Sequence, residues 1–318
     1  MAGTPAIIFI HLGPDVPAWL PDALTQARIF NRGRIVVAAQ AAALAQLAAP
    51  ASLNIERMAV EDLSISDKHR AFRELSPLDR NFRGGFWTHT TERFFVLEAL
   101  MAHLALPSAA HVENDVMLYC DLEALAPTLA AHYAGLAATF DNDQRCVPGF
   151  IYVPHVAAIG ALNDFIVEML QKLRATYTPE QLRGLNDMMI LGHFRTRGFA
   201  LIDHLPIVPP DYPGELRSTA GHVASDPSCY SRHFEEFHAV FDAAALGQFL
   251  GGIDVRNAPN ATQGFVNESC VFDPRKVNVR MTTDGAGRRV PVIETPAGVC
   301  PVANLHIHSK NLRPFLSA

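Results

Sequence analysis

Apolar, β-rich runs alternate with helical stretches through the first part of this chain, and that alternation narrows the available folds more than any other feature. Ala6 to His11 reads as a strand, Asp22 to Phe30 as a helix, Arg34 to Ala39 as a strand and Ala41 to Ala48 as a helix. Such a pattern specifies an α/β fold, a mostly parallel twisted sheet flanked by helices. From Ile35 to Ile55 there is no charged residue, but Gln40, Gln46, Pro50 and Asn54 interrupt the stretch. It therefore reads as a strand and an Ala-rich helix rather than a membrane span.

Further along, Trp87 to Leu104 places Phe94, Leu97, Met101 and Leu104 on one helical face, with Thr88 or Thr90 as the N-cap. Arg93 lies inside this apolar helix, where a charge needs a partner. Ser108 to Val112 reads as a short buried strand that runs into Glu113-Asn114-Asp115, and Asp121 to Tyr133 as the next helix. A strand ending in carboxylates delivers them to the C-terminal edge of the sheet, where open α/β sheets bind ligands. Asn163 to Ala175 and Pro179 to Phe194 are helical by periodicity, and the Pro-rich 203–215 stretch is loop. Asp242 begins a short helix that ends at Gly251-Gly252. The tail from Ser269 is β-rich and broken by Gly and Pro, an antiparallel excursion that returns to the sheet. We expect a single domain over 1–318.

Composition excludes several classes. Apolar residues form 49% of the 318 and charged residues 18%, which rules out a disordered or heavily solvated chain. Lys and Arg number 26 against 32 Asp and Glu, a net charge of −6 with no basic run, so nucleic acid is not an expected partner. The five cysteines are an odd set without a C-x-x-C pair, which fits reduced thiols and a cytoplasmic setting. The N-terminus has no positively charged segment and reads as a first strand, not a signal peptide.

Two carboxylates at i and i+2 past a strand end can converge on one Mg²⁺ or Mn²⁺. Chance alone gives about two acidic-x-Asp patterns in a chain of this composition. A second, Asp141-Asn142-Asp143, does occur; Glu113-Asn114-Asp115 is favoured because an apolar strand leads into it. At the C-terminus, His306, His308 and Lys310 share one face if the strand continues to 310. Two imidazoles beside an ammonium suit a metal and the anion it carries.

In their order along the chain these pieces resemble the metal-dependent glycosyltransferases of the GT-A fold. The matching residues are the opening strand IIFIHLG, the Thr90 to Arg93 element, HVENDV in the place of the family's D-x-D, Asn186-Asp187 and the closing HIHSK. The close resembles the His-then-Lys end of the glycogenin-like enzymes. Glu113 stands where the family has its first Asp, and H-S-K is shorter than the family's spacing, which leaves His306 and His308 both open as the ligand, His308 being preferred.

The resemblance implies a nucleotide-binding half over about 1–120 and an acceptor-binding half over about 121–318. It implies Asp115 as direct metal ligand, Glu113 on the ribose or the metal, and His308 closing the shell around Mn²⁺ or Mg²⁺. Lys310 and Arg93 would contact the nucleotide or its diphosphate, and His11 and Gly13 would border the nucleoside. Asp187 or Asp242 would deprotonate the acceptor hydroxyl in an inverting reaction. The expected partners are a nucleotide-sugar donor and a glycan or lipid-linked acceptor, with peripheral membrane association. The competing readings are a metal-dependent hydrolase built on H-x-H and a non-catalytic sugar-nucleotide or glycan binder.

Overall fold

The computed structural model describes residues 3–317 apart from 79, 81, 179, 183 and 258–261. The chain opens β1 (Ala6–His11), α1 (Leu20–Phe30), β2 (Ile35–Ala39), α2 (Ala41–Gln46), β3 (Glu56–Ala59), α3 (Asp67–Leu75), α4 (Phe86–His103) and β4 (Ala109–Val112). Every residue from Ala6 to Ile10 and from Ile35 to Ala39 is buried, as strands covered on both faces require. β1 pairs in parallel with β2 on one side and with β4 on the other. The chain thus leaves β1 for β2 and β3, then crosses back to β4, opening a crevice between the C-terminal ends of β1 and β4, where α/β sheets take their ligands.

β5 (Val116–Leu118), α5 (Leu122–His132), β6 (Leu136–Asn142), β7 (Arg145–Val153), α6 (Val156–Thr176), α7 (Asp187–Arg195) and β8 (Ile202–His204) follow. The main sheet has the order β3-β2-β1-β4-β7-β6-β8. β7 is antiparallel to both β4 and β6, while β6 and β8 are parallel, so only β7 runs against the rest. This is the mostly parallel sheet the alternation implied. The remaining elements are α8 (Phe234–Phe237), α9 (Leu246–Gly251), β9 (Asn278–Thr283), β10 (Arg289–Thr295), β11 (Gly298–Pro301) and β12 (Asn304–His306). β9, β10 and β11 form a separate antiparallel sheet. β12 pairs with β5 and not with the main sheet, which sets His306 opposite Val116, next to Asp115.

Several local expectations are corrected. α4 begins at Phe86 behind Gly84 and Gly85, both at positive φ, a conformation glycine adopts without strain; Thr90 is inside the helix with its hydroxyl on the Trp87 carbonyl. α6 starts seven residues before Asn163, where the His155 ring accepts from the Ala158 N–H. The second predicted helix begins only at Asp187, because the Asn186 side chain accepts from Met189 N–H and caps it there; Pro179 lies outside the described residues. The Pro-rich stretch begins with two strand residues, Asp203 and His204, before turning to loop. Asp141-Asn142-Asp143 ends β6 and enters the β6–β7 hairpin, and Asp141 is fully buried. Among the described residues no helix is long and apolar enough to cross a membrane. The five cysteines are unpaired thiols.

Candidate functional site

The turn between β4 and β5 carries the acidic triplet. Glu113 N–H donates to the Gly149 carbonyl and Val116 N–H to the Glu113 carbonyl, which folds the turn tightly against the middle of β7. From α4, the buried Arg93 reaches this turn: one of its nitrogens lies 2.5 Å from Glu113 Oε1 and another 2.8 Å from Asp187 Oδ2 at the start of α7. The charge inside α4 therefore has two partners, and both arise from sequence-distant elements.

β12 supplies the other side. His306 Nε2 stands 3.2 Å from Asp115 Oδ2 and 3.3 Å from Glu113 Oε2. The Lys310 ammonium donates to Asp115. A Cβ at Gly149 would come 3.0 Å from His306 Nδ1, so the ring's place depends on that residue having no side chain. Burial opposes the imidazolium, but the Asp115 and Glu113 carboxylates outweigh it and push His306 up to about 9. Burial likewise opposes ionisation of Asp115, yet Lys310 and His306 hold it well below the usual carboxylate range. Against burial, Arg93 and then His306 pull Glu113 down.

His308 is elsewhere. The strand ends at His306, and residues 307–310 turn, with Lys310 N–H on the Ile307 carbonyl and Lys310 at φ +66°. That turn returns Lys310 to Asp115 and swings His308 toward the 254–257 loop, where its Nδ1 accepts from Asp254 N–H at 3.2 Å. Burial, then the Lys310 charge, depresses His308 to about 4. The structure thus brings His306 rather than His308 to the carboxylates, and the expectation of one extended face through Lys310 fails because the pairing partner β5 ends.

His11, at the end of β1, spans the crevice: Asn114 Nδ2 donates to His11 Nδ1 at 3.3 Å, and His11 Nε2 donates to the Asp15 carbonyl at 2.7 Å. A Cβ at Gly13 would stand 2.9 Å from the His11 ring. The two carboxylates named as general bases are both engaged. Asp242 is 1% exposed and accepts from Ala245, Leu246, Gly247 and His306 N–H at 2.8–2.9 Å. It accepts from the first N–H groups of α9 and fixes the His306 backbone. Asp187 is 3% exposed and faces Arg93, and burial raises its affinity for a proton with Arg93 only partly offsetting that. Its place is beside Arg93.

A group the sequence reading missed lies beside the same crevice. Leu12, Gln40 and Val60, each just past the end of β1, β2 or β3, line a pocket of about 90 Å³ with His69, Arg73, His89 and Glu92. Glu92 Oε1 lies 2.9 Å from His69 Nε2 and 2.5 Å from Arg73 Nε. Like Arg93, Glu92 is a charge in an apolar helix, and the same need of a partner was its signal.

A buried imidazole with two carboxylates gives a mixed nitrogen and oxygen donor set. The ligand atoms of Glu113, Asp115 and His306 lie within 4.8 Å of one another. That set suits Mn²⁺ or Mg²⁺ coordination, with nitrogen favouring Mn²⁺. The rival triplet offers no such group: Asp143 accepts from Tyr230 O–H at 2.6 Å and Ser225 N–H at 2.8 Å, and Asp141 is enclosed.

With this arrangement the class is a mixed α/β protein with a candidate ligand site at the crevice of a mostly parallel sheet. No protein-family model matches the chain, and no curated protein sequence matches it. Among solved structures it is similar to mouse xyloside xylosyltransferase 1 in its apo form, at 10% identity and TM-score 0.44, over 64% of this chain and 85% of that one. It is also similar to the galactosyltransferase LgtC in complex with donor and acceptor sugar analogues, at 16% identity and TM-score 0.43, over 71% and 82%. A third similarity is to the glycosyltransferase GlyE of Streptococcus pneumoniae TIGR4, at 11% identity and TM-score 0.37, over 67% and 47%.

Proposed function

We propose that this protein is a metal-dependent glycosyltransferase that moves a sugar from a nucleotide-sugar donor to a glycan or lipid-linked acceptor, in the cytoplasm and at the membrane face. The observation that carries this reading is the meeting of Glu113, Asp115, His306 and Lys310 at the β1–β4 crevice. Glu113, Asp115 and His306 would hold Mn²⁺ or Mg²⁺, which when bound supplies charge stabilisation to a departing nucleoside diphosphate.

The protein's own residues divide the remaining work. Arg93, locked between Glu113 and Asp187, keeps the Glu113 carboxylate oriented. Lys310, on a more exposed stem, is the cation placed to meet the diphosphate. His11 and Gly13 border the crevice, where they would flank the nucleoside. The hydrolase reading has less support, because only His306 stands at the carboxylates while His308 accepts from Asp254 N–H.

The test is a thermal-shift and titration series with nucleoside diphosphates, nucleosides and nucleotide sugars, with and without Mn²⁺. A ligand at 100 times its Kd adds about 2.7 kcal/mol to native stability. The expected result is stabilisation by the nucleotide sugar that requires Mn²⁺ and is lost in Asp115→Asn. Lys310→Ala weakens nucleoside diphosphate binding by tenfold or more and leaves nucleoside binding nearly unchanged. Metal-independent binding, or equal losses for both ligands, overturns the reading.

A further inference from the structure

At the β8 edge of the main sheet, three strands away from β4, two histidines and a glutamate converge outside the crevice. His132 is the last residue of α5. His233 and Glu236 are three residues apart around the start of α8. His132 Nε2 lies 3.7 Å and His233 Nδ1 3.5 Å from the same oxygen, Glu236 Oε1. The 3.7 Å separation is too long for a hydrogen bond, and both nitrogens nonetheless face one oxygen. The two imidazole rings are 4.2 Å apart between centroids and tilted by 35°.

The spacing is close to that of ligands around a single ion. A tetrahedral ion with bonds of about 2.0–2.1 Å has ligand-to-ligand edges of roughly 3.3 Å, and the ligand atoms of all three residues lie within 4.8 Å of one another. We propose that His132, His233 and Glu236 form a binding site for a first-row transition-metal ion, Zn²⁺ foremost, with water in the fourth position. Borderline imidazole nitrogens and one carboxylate are the donor set such ions prefer.

The surroundings favour a cation there and hold the ligands in place. His132 sits at the C-terminal end of an eleven-residue helix, whose dipole favours positive charge. The Tyr133 ring packs edge-on against His233 at 5.5 Å, and its hydroxyl donates to the His204 carbonyl in β8 at 2.8 Å. Arg232, next to His233, is paired with Asp203 of β8 at 2.9 Å. Two ligands therefore come from one turn already tied to β8, and the third from α5. A bound ion would link α5 to the segment covering the sheet's edge strand, so its effect is structural and separate from the crevice.

Co²⁺ titration of the full chain, followed by the visible absorption of tetrahedral Co²⁺ and by competition with Zn²⁺, tests this. The expected result is one tetrahedral Co²⁺ site that persists in Asp115→Asn. In His132→Ala and Glu236→Gln, both at exposed positions, the affinity falls at least tenfold. Saturating Zn²⁺ raises the melting temperature of Asp115→Asn, in which the crevice carboxylate is removed, and leaves that of the double variant Asp115→Asn/His132→Ala unchanged. Absence of tetrahedral Co²⁺ binding, affinity unaltered in both variants, or loss of the signal in Asp115→Asn overturns the proposal.

Discussion

Asp141 is where the structure permits a sharp quantitative test. Its side chain is fully buried at the end of β6, and a cation, Arg145, stands 3.4 Å away on a partly exposed stem. Burial, with Arg145 offsetting it only in part, pushes the carboxyl from its ordinary 3.8 up to about 6. Below the ordinary value both the native and unfolded chains hold the proton, and Asp141 leaves stability untouched. Between the two values the unfolded chain releases its proton while the native chain keeps it, so stability falls as pH rises. Above the folded value the full penalty applies, about 3 kcal/mol at 1.36 kcal/mol per tenfold change in proton affinity. Asp141→Asn removes the charge but leaves an amide with few partners, so the expected gain at pH 8 is about 1–3 kcal/mol. Urea denaturation of both proteins between about pH 4 and pH 8 reads the difference directly. The gap should open through the interval from 3.8 to about 6 and close below it. A gap independent of pH, or a variant less stable than wild type at pH 8, refutes the reasoning.

Arg93→Met should destabilise the fold by about 3–5 kcal/mol, because Glu113 and Asp187 would be left as buried carboxylates without their cation; a shift in urea midpoint smaller than about 1 kcal/mol would mean the pair is solvated in solution. Gly149→Ala, whose Cβ would press on the His306 ring at 3.0 Å, should weaken Mn²⁺ binding in calorimetry by tenfold or more while shifting stability by less than about 2 kcal/mol.

How far the sequence led depends on whether each feature is set locally or by remote pairing. β1, α1, β2 and α2 were legible because a buried parallel strand and its covering helix each carry their own periodicity. Glu113 and Asp115 were legible for the same reason, since the strand that delivers them is visible in Ala109 to Val112. His306 was not separable from His308, because the end of β12 is fixed by the length of β5, some 190 residues earlier. The return of Lys310 depends on a left-handed turn at a lysine, for which the sequence carries no glycine as a marker. Asp242 had the signature of an N-cap, but the helix starts four residues later at Leu246, with the Asp242 side chain reaching its first N–H groups; what sequence could not show is that its fourth hydrogen bond goes to His306. The Glu92, His69 and Arg73 cluster joins α3 to α4 and has no local pattern.

The two acidic triplets show how position decides the fate of the same residue pattern. Asp141 lies within a paired strand, meets one partly exposed cation at 3.4 Å, and has its ionisation disfavoured by burial. Asp115 lies on the turn past a strand, where β12 brings an imidazole and the chain returns an ammonium, and its ionisation is enforced. Around that turn Glu113, Asp115 and Asp187 carry three negative charges, and Arg93 and Lys310 carry two fixed positive ones. The difference is one charge, which His306 meets when protonated and which a divalent cation would meet in its place. The two fixed cations are not equivalent. The Arg93 side chain is 8% exposed and ion-paired to two carboxylates, whereas that of Lys310 is 22% exposed, ion-paired with Asp115 and 5.7 Å from the centre of the Trp19 ring. Moving Arg93 would leave Asp187 without its cation and Glu113 with His306 alone, while moving Lys310 frees one Asp115 oxygen next to His306, so displacing Lys310 costs less than displacing Arg93.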